Sequence, residues 1–95
     1  MNYVFKYQSK KDNTFLGYHL STFCQMGAKD NAKIYSLDND NKISIQTEII
    51  QKNLNTILSS NPEKPSIFHL HLIKDKYFNG YTVGELIVVP EKLES

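Results

Sequence analysis

The chain contains no arginine or tryptophan, and its 95 residues include only one cysteine, three prolines and four glycines. No apolar run approaches the roughly 20 residues that a helix needs to cross a bilayer. All eleven basic residues are lysines, so the bidentate guanidinium contacts that favour guanine and phosphate recognition are absent. Cys24 alone cannot close an internal disulfide or build a cysteine-based zinc site, which points to a reducing compartment. The opening residues Met1 to Tyr7 show no basic leader followed by an apolar stretch, and a cytoplasmic location away from membranes is expected. The glycines stand singly at 17, 27, 80 and 84, so no phosphate-cradling glycine motif is present. With a net charge of +1 and scattered charges, there is no electrostatic footprint for duplex nucleic acid.

What is present is one small domain spanning residues 1–95. Tyr3, Phe5 and Tyr7 alternate with Val4, Lys6 and Gln8, which is the period of a half-buried strand. A polar turn, Ser9 to Thr14, leads to a return strand over Phe15 to Leu20, with Gly17 marking a bulge or the close approach of another backbone. Asp30 opens one or two helical turns. Asp38 to Lys42 is read as a loop, and Ser44 to Ser60 as the main helix. Its apolar stripe is Ile50, Leu54, Ile57 and Leu58, widened by Ile49, with Glu48 and Lys52 forming an i,i+4 pair on the other face. Ser66 to Val89 reads as a second hairpin turning at Asn79-Gly80, the strongest short-range hairpin signal. A helix starting at Thr82, with Glu85 as its capping-box partner, competes with the β-branched run Ile87-Val88-Val89. The expected fold is α+β, an antiparallel sheet of about four strands in the order β-β-α-α-β-β with one main helix on one face.

Chemical motifs are sparse. His69 and His71 are two apart and would share a strand face, where they present two imidazoles to a metal if His19, Asp75 or Glu85 supplied a third ligand. Cys24 with His19 resembles a nucleophile and base only in composition, because no third member or oxyanion hole accompanies them. Asp38-x-Asp40 lacks the glycine and distal glutamate of a calcium loop. No cofactor is expected and a non-enzymatic role is favoured.

The expected function is that of a small protein-binding module, an accessory or inhibitor protein that occupies a surface of a larger protein. Size and composition fit the inhibitors of host defence that phages and mobile elements encode. Tyr77, Phe78, Asn79 and Tyr81 at the hairpin tip are the expected partner-binding residues, since tyrosine combines buried area with a polar end. The second hairpin would also serve a homodimer by edge-to-edge pairing. The alternative is single-stranded nucleic-acid binding by Tyr3, Phe5, Lys6 and Tyr7, disfavoured because Lys10-Lys11 is the only adjacent lysine pair.

Overall fold

The computed structural model describes residues 1–21, 24–60 and 68–94, and only the backbone of residues 68–71. The fold is α+β, a curled antiparallel sheet with a long and a short helix on one of its faces. The strands are β1 (Asn2–Ser9), β2 (Phe15–His19), β3 (Met26–Gly27), β4 (Tyr35–Ser36) and β5 (Leu86–Lys92), and the helices are α1 (Asp40–Leu58) and α2 (Phe68–Tyr77).

β1 is the central strand. β5 runs antiparallel along it from Tyr3↔Lys92 to Ser9↔Leu86. The other edge of β1 is shared by β2, at Lys6 to Gln8, and β4, at Asn2 and Tyr3. The β1–β2 hairpin closes through Asn13, whose φ of 59° suits a residue tolerant of the left-handed region. The Asp12 carboxylate accepts from the Thr14 N–H at 3.1 Å. The register slips between Tyr7 and Gln8, leaving Leu16 as the extra residue of a bulge. Gly17 follows, and a Cβ there would lie 3.1 Å from the Met26 Cβ, so glycine permits β3 to approach.

α1 begins four residues before the expected Ser44, because the Asn39 side chain accepts from the Lys42 N–H and caps the helix. Asp40 to Lys42 therefore belong to the helix rather than to a loop. Ile50, Leu54, Ile57 and Leu58 are buried as their spacing predicts. Ile49, expected to widen the stripe, is half exposed, and Glu48 and Lys52 do not close an ion pair. In place of the short helix expected after Asp30 there is a single 3₁₀ turn, Lys29–Asn31, followed by β4.

The largest departure is the second hairpin. Residues 68–77 are helical, and Ser66 and Ile67 lie outside the described residues. Asn79-Gly80 ends α2 instead of joining two strands: Gly80 has φ +89°, and the Phe78 N–H still donates to the Lys74 carbonyl. Lys74 and Lys76 in the last turn favour the helix dipole. The expected order β-β-α-α-β-β thus gives way to four strands, two helices and a final strand. Of the two readings of 82–89 the strand is the one observed, and no helix starts at Thr82. The Thr82 N–H donates to the Glu85 carboxylate at 2.8 Å, as in half of a capping box, but the Thr82 hydroxyl donates to the same carboxylate, the Glu85 N–H donates to the Thr82 carbonyl, and the turn they make leads into β5.

Phe5 and Tyr7 of β1, Leu86 and Val88 of β5, the α1 stripe, and Ile73 and Phe78 form one core. Tyr7 meets Phe78 edge-on at 5.5 Å, and Phe5 meets Tyr35 at 5.2 Å. Among the described residues no helix is long and apolar enough to cross a membrane.

Candidate functional site

Among the described residues the candidates for a site are a polar cluster inside the core and a groove at one edge of the sheet. The cluster centres on His19, which the alternation of β2 turns inward. Its Nδ1 lies 2.5 Å from the Tyr7 hydroxyl and its Nε2 3.0 Å from that of Tyr35. A neutral imidazole donates from one nitrogen and accepts at the other, and each hydroxyl can complement either role, so both ring nitrogens are satisfied. His19 is 1% exposed. Burial, reinforced by the positive charge of Lys33, pushes its pKa down to about 4.

Cys24 lies beside this cluster and is fully buried. It takes φ 57°, an uncommon conformation for a residue with a Cβ, and its N–H donates to the Ser21 carbonyl. Its thiol approaches the Ile50 carbonyl at 3.9 Å. Burial raises the pKa of the thiol, and burial together with the nearby Cys24 raises that of Tyr7. A protonated thiol and a neutral histidine, both sealed from solvent, form a polar staple between β1, β2 and β4 and not an exposed nucleophile and base.

The metal reading depended on His69 and His71 sharing a strand face. Their backbone is helical, and positions two apart on a helix are about 200° apart around its axis, so the spacing argument fails. No group of three ligating residues assembles among the described residues. The nucleic-acid reading fails on facing. Phe5 and Tyr7 are fully buried and Tyr3 packs against the same core, while Lys6 alternates to the other face. There, Lys6 and Lys29 are both drawn to Glu91, at 3.3 and 2.6 Å, and the Tyr18 hydroxyl donates to the same carboxylate at 3.0 Å. These contacts, Lys29 foremost, hold the Glu91 carboxyl below its usual range.

Of the four partner-binding candidates, Phe78 is fully buried and belongs to the core, because the helical backbone directs it at Tyr7. Asn79 is exposed, and Tyr77 and Tyr81 are half buried against the core. The homodimer expected through the second hairpin has no such hairpin to use.

The two edges of the sheet differ. On β5 the Gln51 side chain occupies the outer edge, accepting from the Val88 N–H at 2.9 Å and donating to the Leu86 carbonyl at 3.1 Å. Two residues on, Pro90 faces the same way and offers no donor. Among the described residues the opposite edge has no such cover. β3 pairs only with Tyr18 and His19, leaving Phe15 to Gly17 of β2 without a neighbouring strand among the described residues. Beside them lies an open groove of about 370 Å³ lined by Phe15, Leu16, Tyr18, Met26, Lys29 and Tyr77 among others. Phe15 is 51% exposed at its rim. Leu16 and Met26 were not among the sequence candidates, because only the short β3 pairing brings them together.

No family profile matches the chain, and no characterised protein or solved structure shows significant similarity to it.

Proposed function

We propose that the chain is a small protein-binding module that takes an extended segment of a larger protein along its β2–β3 edge. The observation that carries this reading is the contrast between a β5 edge closed by Gln51 and Pro90 and a β2 edge that no described residue covers, beside an apolar groove. An incoming strand would gain main-chain hydrogen bonds from β2, while its alternate side chains enter the groove between Phe15, Met26 and Tyr77. Tyr77 thus keeps the partner-binding role, Phe15 and Met26 join it, and Phe78 supports them from the core. Occupation of a target's surface in this way suits an accessory or inhibitor protein, and the free, buried Cys24 suits a reducing cytoplasm.

The test is affinity capture from an extract of the protein's own host, with nuclease present. The wild type should retain a protein that Phe15→Ser and Tyr77→Ala lose and that Val83→Ser, an equally exposed change outside the groove, keeps. Equal retention by all three variants would overturn the assignment of the groove.

A further inference from the structure

The edge of β2 that no described residue covers separates two unlike rows of side chains. Residues paired across a sheet point to the same face. Met26 pairs with the buried His19 and so points to the helix side of the sheet, and Leu16 and Tyr77 pack against the same core. Tyr18 pairs with Lys6 on the opposite face, where its ring meets that of Phe15 at 5.1 Å. Lys29 joins this outer row, its Nζ 2.6 Å from the Glu91 carboxylate. β3 ends at Gly27, opposite Tyr18, and the chain turns away into the 3₁₀ turn Lys29–Asn31. The groove therefore wraps around the edge, with Leu16, Met26 and Tyr77 on one side and Phe15, Tyr18 and Lys29 on the other.

The charge on the two rows is one-sided. Among the described residues none that lines the groove is acidic, and Lys29 supplies an ammonium. The Glu91 carboxylate that Lys29 meets is shared with Lys6 at 3.3 Å and with the Tyr18 hydroxyl, so two cations face one anion. The Lys29 side chain is still 51% exposed, and an ammonium carries three donors, which leaves it free to donate to a second carboxylate without releasing Glu91. On the helix side the Lys76 Nζ stands 5.1 Å from the centre of the Tyr77 ring, adding a second cation near the rim.

We infer that the segment bound along this edge is a strand of alternating apolar and acidic residues, with its apolar side chains against Leu16, Met26 and Tyr77 and a carboxylate at Lys29. The inference rests on the reading of the β2–β3 edge as the partner-binding surface and adds the chemistry of the segment. Successive side chains of an added strand point to opposite faces, so one set meets the apolar row and the other the row that holds Lys29. Main-chain hydrogen bonds are the same for any sequence, and the two rows select among sequences. A basic residue at the outer position would meet Lys29 and Lys6 with only Glu91 to offset them, and is rejected.

The test is an NMR titration of the isotope-labelled protein with three short, end-blocked peptides in which valine alternates with glutamate, glutamine or lysine. The glutamate peptide should move the amide signals of Phe15 to Tyr18 and of Met26 to Lys29. It should bind about tenfold more tightly than the lysine peptide at low salt, and the difference should shrink as salt is added. Lys29→Gln should remove most of that difference and leave the affinity for the glutamine peptide unchanged, whereas Tyr77→Ala should weaken all three peptides alike. The spectrum of each free variant reports its folding, and Lys29 is exposed enough to be replaced without disturbing the core. A glutamine or lysine peptide that binds as tightly as the glutamate peptide overturns the acidic preference while leaving the edge as a strand acceptor. So does a preference that survives Lys29→Gln. Binding by none of the three overturns the inference together with the reading of the edge. Movement of the same signals with protein concentration alone would put a second copy in the groove and overturn it as well.

Discussion

The Gln51 side-chain amide accepts from the Val88 N–H at 2.9 Å and donates to the Leu86 carbonyl at 3.1 Å, standing where the peptide of another strand would stand. A helix side chain thereby satisfies two backbone groups of an edge strand and blocks further pairing. Gln51→Ala removes both bonds and should lower stability by about 1–2 kcal/mol. It should also make the protein prone to edge-to-edge association. Urea unfolding and light scattering check both, and an unchanged midpoint with no scattering would show that the amide bonds are dispensable.

The His19 staple makes stability depend on pH. Its folded pKa, about 4, lies below the unfolded value near 6.5, so between these values the unfolded chain binds the extra proton. The stabilisation is therefore complete above about pH 6.5 and is lost as pH falls towards 4, on the order of 2 kcal/mol after screening. The lowered carboxyls, Glu91 among them, add losses at more acidic pH. A His19→Gln variant should lack the loss between pH 6.5 and 4, and equal slopes for the two proteins would contradict the staple. Tyr7→Phe leaves one ring nitrogen without its buried partner and should cost about 1–3 kcal/mol.

Cys24 should resist alkylation in the native state, because its thiol is fully buried and held protonated. Labelling with iodoacetamide is expected to follow the rate of unfolding and to accelerate with denaturant. Rapid labelling under native conditions would place the thiol at the surface.

The parts of the fold legible in the sequence are those written in local period. The β1 alternation and the Ile50, Leu54, Ile57, Leu58 spacing each bury the residues they indicate. Residues 68–77 misled because Phe68-His69-Leu70-His71-Leu72-Ile73 alternates as a strand does over a run too short to exclude a helix. Asn79-Gly80 serves a helix end as readily as a hairpin, since both use positive φ. The pairing of β5 with β1 joins segments some 80 residues apart, and no local pattern announces it. For the same reason the alternation of Tyr3, Phe5 and Tyr7 suits a core stripe first and admits a binding stripe only as the alternative. The groove depends on Tyr77 of α2 meeting Phe15 and Met26, a tertiary fact. Tyr77 was a candidate for its chemistry, and its neighbours became visible only in the fold.

The measurement closest to the central claim is site-specific photocrosslinking in the native host, with benzoylphenylalanine placed in turn at position 15 in the open groove and at position 92 on the closed β5 edge. Binding along the β2–β3 edge should give a discrete crosslinked protein band from position 15 and none from position 92. A band from position 92 alone, or none from position 15 in a folded variant, would contradict it.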